Sequence, residues 1–326
     1  MSKAIKYFST FSGIGGFEVG IRNAYRTTLG REQADTPGDD AVRPGLLPET
    51  GQGSSAANGR LGTDPADESN QRPLFVGYSE IDKYATRVYE RHFEGVPNYG
   101  DITKINAEAL PDFDCLVGGF PCQAFSIAGK RKGFEDTRGT LFFDLARILR
   151  AKRPRLFVFE NVKGLLSHDG GRTFKTIIQT IDELGYDCQW QVLNSKDFGV
   201  PQNRERVYIV GHLRGTPRPE VFPIATDDAE NTDSGVIGGT LTTRYQHSQR
   251  EGTYIEENGD SSRESVKIRR LTPRECEALQ GFPRDWTAEG VDGTISDTQR
   301  YKMCGNAVTV NVVETVMTSL LDRGCI

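Results

Sequence analysis

Short apolar runs and helical repeats of apolar positions alternate along the first two-thirds of the chain. Six runs have strand length and lie between turn-forming residues: Tyr7–Phe11, Leu74–Tyr78, Cys115–Val117, Leu156–Phe159, Gln189–Leu193 and Arg206–Val210. Between them apolar residues recur at helical spacing, as Leu141, Phe142, Leu145, Ile148 and Leu149 do. Helices are therefore predicted over Phe17–Tyr25, Tyr84–Phe93, Leu141–Leu149 and Phe174–Leu184, and again over Asn306–Leu321. Strands that alternate with helices predict an α/β fold built on a Rossmann-like, doubly wound sheet. Its ligand site would lie outside the carboxyl ends of the strands.

Two regions break the rhythm. Residues 28–73 are rich in Gly, Pro, Ser, Asp and Asn with no apolar period, and read as a flexible insertion. Residues 212–268 are polar, with short β-prone pieces at Gly239–Tyr245 and Gly252–Ile255. The expected plan is a catalytic and ligand-binding domain over 1–211 and a smaller, mostly β and loop domain over 212–290. Residues 291–326 would return to the first domain.

Composition narrows the class. Apolar residues make up 36% of the chain and charged residues 26%, as in a globular protein. No stretch approaches the roughly 20 apolar residues of a membrane span, and the N-terminus lacks a signal peptide's apolar core. The expectation is a cytoplasmic protein. None of the six cysteines forms a Cys-x-x-Cys pair, and there are four histidines, so neither a metal nor a disulfide framework is expected. The net charge of −5 is unevenly spread. Residues 31–70 carry eight acids against three arginines, whereas residues 130–155 carry nine basic residues against three acids. The basic stretch suits phosphate binding or a solvated helix face.

The candidate chemistry sits at strand ends. Phe11-Ser12-Gly13-Ile14-Gly15-Gly16 follows a predicted strand and opens a helix, where glycines let the backbone approach a ligand. This suits a dinucleotide, S-adenosylmethionine or a tight turn. Glu80, ending the next strand, can accept ribose hydroxyls, and Asp101-Ile102 offers an acid and an apolar face for an adenine. Each acid also suits a simple cap. Gly118-Gly119-Phe120-Pro121-Cys122-Gln123 puts a thiol at a strand end with basic residues close behind, which favours thiolate. Glu160, in Phe159-Glu160-Asn161-Val162, would converge on it as an acid partner. Arg204 and Arg206 alternate on an extended segment and would project to one side, towards a base oxygen, a phosphate or a surface ion pair.

In order along the chain, these residues resemble the cytosine-5 DNA methyltransferases of the bacterial modification type. The resemblance runs through Phe11–Gly16, Glu80, Pro121-Cys122-Gln123, Glu160-Asn161-Val162 and Gln202-x-Arg204-x-Arg206. It continues through Arg270–Glu275, Gln280-Gly281-Phe282-Pro283 and Gly305-Asn306-Ala307-Val308. It implies an S-adenosyl-L-methionine methyltransferase fold with a target-recognition domain. It further implies transfer of a methyl group to carbon 5 of a flipped cytosine in a short duplex site, through a covalent Cys122 adduct. S-adenosyl-L-homocysteine is the product and no metal is needed. Glu160 would engage ring N3 and the exocyclic amine, Arg206 the cytosine O2, and Arg204 would lie beside it.

The cofactor contacts carried over are Phe11, Gly13, Gly15, Gly16, Glu80, Ile81, Asp101, Ile102, Pro121, Leu141, Asn306 and Val308. DNA contacts are expected from Gln123 and from the loop Ser126–Arg138, through Ser126, Lys130, Arg131, Lys132 and Arg138. Base-reading contacts are expected from Thr240, Leu241, Arg244, Tyr245 and Gln246. The implied partners are double-stranded DNA and a separately acting restriction endonuclease, for a monomer of a prokaryotic cell or phage. An RNA cytosine-5 methyltransferase and a non-catalytic DNA-binding homologue are the alternatives, and intact Cys122, Glu160 and Arg206 count against the second.

Overall fold

The computed structural model describes residues 5–34, 72–121, 141–224, 254–257 and 267–325. Six strands form one sheet: β1 (Lys6–Thr10), β2 (Leu74–Ser79), β3 (Cys115–Gly119), β4 (Leu156–Val162), β5 (Tyr186–Asn194) and β6 (Glu205–Leu213). Their spatial order is β2-β1-β3-β4-β6-β5. Every predicted strand is present. β1 to β4 pair in parallel, as helical crossovers require, whereas β6 runs antiparallel to both β4 and β5. The connection from Ser195 to Arg204 holds only a short 3-10 turn, Ser195–Phe198. A chain that turns back so soon can pair only with the opposite sense.

The alternation of side chains explains why the strands read as unbroken apolar runs: both faces of the sheet are buried. Tyr7, Cys115, Val117, Leu156, Val158, Tyr208 and Val210 point to one face. There they pack on helix α1 (Gly16–Ala34) and the C-terminal helix. Their neighbours Phe8, Leu116, Phe157, Phe159, Val207 and Ile209 point to the other. Against them lie helices α3 (Leu141–Lys152) and α4 (Arg172–Glu183). Helix α2 (Lys83–His92) follows β2 and is capped by Asp82, whose carboxylate accepts from the amides of Tyr84 and Ala85.

Three boundaries differ from the sequence expectation. Residues 28–34 belong to α1 rather than to the insertion, because the helix runs on to Ala34. Residues 212–224 belong to the sheet body: Val221 and Ile224 lie in its core. Gln189 and Gln191 of the edge strand β5 hydrogen-bond the backbone of 219–224, which covers the edge. Residues 271–290 also join the body, through helix α5 (Pro273–Leu279) and the buried Phe282 and Trp286. The sequence Thr272-Pro273-Arg274-Glu275 starts α5 with a capping box and a first-turn proline. Between these flanks, β7 (Tyr254–Glu257) and β8 (Lys267–Arg270) pair antiparallel. The β-prone piece Gly239–Tyr245 lies outside the described residues.

A small hairpin, β9 (Glu289–Gly290) with β10 (Gly293–Thr294), leads into α6 (Asp297–Asn306) and α7 (Val310–Asp322). The single helix expected over Asn306–Leu321 is thus broken at Ala307, which is extended at φ −68°, ψ 153°. Among the described residues no helix is long and apolar enough to cross a membrane.

Candidate active site

A cleft of about 330 Å³ opens at the carboxyl ends of β1 to β4. Of the residues singled out in the sequence, Phe11, Gly13, Glu80, Pro121, Glu160, Arg204, Arg206 and Asn306 line it. Ile14, Asp82, Asn161, Met303 and Gly305 also line it and were not anticipated there.

One wall is the turn between β1 and α1. Phe11 and Gly13 both have positive φ, 51° and 54°. A Cβ added at Gly13 would meet nothing within 4 Å, so the backbone there faces open space. Gly15 serves a different purpose: its φ is +87°, and a Cβ would come within 2.3 Å of the Phe93 ring. Gly16 likewise abuts Val308. Opposite Gly13 stands Glu80. One carboxylate oxygen accepts from the Gly13 amide at 2.8 Å, the other from the amides of Ile81 and Asp82, each at 2.8 Å. With up to four acceptor directions on a carboxylate, Glu80 keeps capacity for a ligand hydroxyl.

The other sequence-predicted contacts lie off the cleft lining. Ile81 is exposed, and Ile102 is 3% exposed within the core against α3. Asp101 caps the turn Ile102–Lys104, and its hydrogen bonds from Thr103 hold its carboxyl below the usual range. Leu141 begins α3, and Val308 is buried against α1.

The floor is built by β4 and β6. Arg206 Nε lies 2.9 Å from Glu160 Oε1, and both side chains are largely buried. Gly119 on β3 leaves room for this carboxylate, because a Cβ there would sit 3.0 Å from Glu160 Oε2. Burial pushes the Glu160 carboxyl above its ordinary range, and the charges of Arg206 and Arg204 oppose that shift. Arg204 is only 3% exposed. Its guanidinium donates to the carbonyls of Ala307 (2.8 Å) and Gly305 (3.4 Å), so it grips the break between α6 and α7. The two arginines therefore divide the work that their spacing suggested they share.

Asn161 ties this floor to the loop before Cys122. Its Nδ2 donates to the Phe120 carbonyl at 2.8 Å and its Oδ1 accepts from the Val162 amide. An amide directly after the acid was the available sequence signal. Cys122, Gln123, Ser126, Lys130, Arg131, Lys132 and Arg138 lie outside the described residues, as do Thr240, Leu241, Arg244, Tyr245 and Gln246. The five described cysteines are free. Burial pushes the thiols of Cys188 and Cys325 up to about 11 and that of Cys276 to about 12. Those of Cys115 and Cys304 are pushed higher still, so none of the five is poised as a thiolate. Among the described residues no group of three or more His, Cys, Asp or Glu side chains could hold a metal.

Known proteins similar to this chain identify its family. The family model described as C-5 cytosine-specific DNA methylase matches residues 69–235 and 224–322. The Type II methyltransferase M1.ScrFI of Lactococcus lactis subsp. cremoris is 41% identical over 299 residues, spanning 80% of this chain and 75% of that protein. The Type II methyltransferase M.HhaI of Haemophilus parahaemolyticus is 36% identical over 284 residues, spanning 73% and 84%. In fold, the chain superposes on the crystal structure of S. pombe Dnmt2 methyltransferase with a TM-score of 0.65 at 18% identity, covering 99% of this chain and all of that one. The chain belongs to the C-5 cytosine-specific DNA methylase family.

Proposed function

We propose that this DNA cytosine-5 methyltransferase takes its methyl group from S-adenosyl-L-methionine and acts through Cys122 on a cytosine flipped out of a short duplex site. The observation that carries this is the buried Glu160–Arg206 pair, 2.9 Å apart, in the same cleft as Glu80 and Gly13. The cofactor fits the residues present. Gly13 leaves open backbone beside the Glu80 carboxylate, which suits an adenosyl group whose hydroxyls need an acceptor. When bound it supplies an electrophilic methyl group.

The chain's own residues make the ring reactive. The Cys122 thiolate adds to carbon 6, and the electron pair displaced towards the ring makes carbon 5 nucleophilic. Glu160 shares a proton with ring N3 and accepts from the exocyclic amine, a task suited to a carboxyl whose burial favours its protonated form. Arg206 donates to O2 while it stays paired with Glu160. After methylation, loss of the carbon 5 proton expels Cys122. A ring attacked on its face has to leave the duplex, and the basic segment from Ser126 to Arg138 would close over it. Base reading falls to residues such as Thr240, Arg244 and Gln246, and a separate endonuclease of matching specificity is the natural partner.

The test is methylation-sensitive sequencing of DNA from a methylation-free host that expresses the native chain or Cys122→Ser. The expected result is 5-methylcytosine at one short motif with the native chain only. Unmethylated DNA from both, with folded protein that binds S-adenosylhomocysteine, would sink the DNA reading and make RNA the next substrate.

A further inference from the structure

Both walls of the cleft lean on one short segment, Gln280–Trp286, which follows α5 and takes no part in the chemistry above. On the first wall, Trp286 Nε1 donates to the Ile14 carbonyl of the glycine turn at 2.8 Å. The same indole stacks on His92 of α2, with centroids 3.5 Å apart and 8° between planes. On the second wall, the Gln280 amide spans the break between α6 and α7. Its Nε2 donates to the Cys304 carbonyl at 2.8 Å, and its Oε1 accepts from Thr309 Oγ1 at 3.0 Å. Between those two anchors lie Gly305 and Asn306, which line the cleft. The end of α5, from which the segment starts, is also tied to the connection before β6, because Gln202 Nε2 donates to the Leu279 carbonyl at 2.7 Å.

Gln280 has no exposed surface and Trp286 is 4% exposed, so neither touches a ligand. Trp286 instead fixes the backbone carbonyl of the cleft residue Ile14, and Gln280 that of Cys304, next to the cleft residue Gly305. A buried carbonyl that loses a donor must find another or move: the Ile14 carbonyl sits in an irregular turn, and the Cys304 carbonyl, in the last turn of α6, would keep only the longer bond from the Ala307 amide at 3.3 Å. We propose that Gln280 and Trp286 are positioning residues that set the separation of the glycine turn from Gly305–Asn306, and with it the affinity for the adenosyl cofactor. The flipped base is held elsewhere, by Glu160 and Arg206. This inference rests on the assignment of the cleft to S-adenosyl-L-methionine.

The test uses the full chain and the variants Trp286→Phe, which keeps an aromatic ring and removes the N–H, and Gln280→Met, which keeps the length and removes both polar groups. Calorimetry reads the dissociation constant for S-adenosylhomocysteine, and steady-state assays read KM for the cofactor, kcat and duplex affinity. The expected result is binding weaker by about three- to tenfold for Trp286→Phe, the worth of one buried hydrogen bond, and by at least as much for Gln280→Met, which loses two. KM for the cofactor should rise in step while kcat at saturation and duplex affinity stay unchanged. Folded variants that bind S-adenosylhomocysteine as the native chain does, or that lose kcat at unchanged KM, would overturn it. If Gln280→Met does not fold, Thr309→Val removes the hydrogen bond to Gln280 Oε1 from its other end, along with the contact of Thr309 to the Ser195 hydroxyl, and carries the same expectation. A native chain that binds no S-adenosylhomocysteine would sink the cofactor assignment itself, and this inference with it.

Discussion

Val162 lies opposite Arg206 in the antiparallel β4–β6 ladder, two residues beyond Glu160, so Glu160 and Arg206 are diagonal neighbours on one face of the sheet. Register alone therefore brings the carboxylate to the guanidinium. Replacing the acid by its amide, Glu160→Gln, keeps the shape and removes the transferable proton. Turnover should fall by about a hundredfold or more, with S-adenosylhomocysteine affinity retained; a rate close to native in a methyl-transfer assay would contradict the role. Glu18 poses a different residue-scale question. It is fully buried in the first turn of α1, where Oε1 accepts from the Tyr89 hydroxyl at 2.9 Å. Its Oε2 has no hydrogen-bond partner among the described residues. Burial raises its pKa from 4.5, against the opposing pull of hydrogen bonds and of Arg22. A raised carboxyl pKa contributes stability that is present below the unfolded value and lost as pH rises through the folded one. Glu18→Gln does not titrate, so it should gain on the native chain as pH rises from about 4.5 to neutrality. Urea midpoints at the two ends of that range measure the gain, and a difference that stays constant with pH would refute it.

The turn between β1 and α1 shows how one element serves packing and binding with the same residue type. Gly15→Ala combines a left-handed backbone with a clash on the Phe93 ring. It should destabilise the fold by about 2–4 kcal/mol, from strain and overpacking together. Gly13→Ala meets open space at φ +54°, so its cost in stability should stay near 1 kcal/mol. Its larger effect should be weaker S-adenosylhomocysteine binding. Denaturant unfolding and calorimetry on the two variants separate these roles, and equal losses in both assays would not fit. Sequence alone shows six glycine-turn residues without revealing which face the ligand, because Phe93 and Val308 come from distant parts of the chain. The same limit runs through the fold. All six strands were legible, since both sheet faces are apolar and the runs stand out. The reversed β6 and the break at Ala307 were not, because the hairpin's sense depends on the short Ser195–Arg204 connection and the break on carbonyls gripped by Arg204 and Gln280. Glu80, Glu160 and Arg206 announced themselves as polar residues at strand ends. Ile14 and Met303 resemble ordinary core residues in sequence, and only the fold turns them to the cleft.

For the whole molecule, the topology bears on the long segment between α1 and β2. β1 and β2 are parallel, with Lys6 opposite Leu74 and the Leu74 amide bonded to the Ile5 carbonyl. The chain therefore re-enters the sheet at the edge where β1 began. Helix α1, 19 residues long, spans about 28 Å against about 16 Å for the five residues of β1. It already carries the chain back past that edge, so the connection needs little length. Residues 38–71 hold six acids against two arginines. Replacing them with a linker of about eight Gly and Ser residues, a typical connection length, should preserve the fold and the methylation motif. The shorter loop should add about 1 kcal/mol of stability, since closure entropy grows with loop length. Removing a net four negative charges should also tighten duplex binding at low ionic strength, an effect that fades once salt screens the surface. Urea unfolding, methylation sequencing and binding across a salt series test the three expectations on one protein. A folded deletion chain that no longer methylates would mean that the segment takes part in engaging DNA, against what its acidity implies.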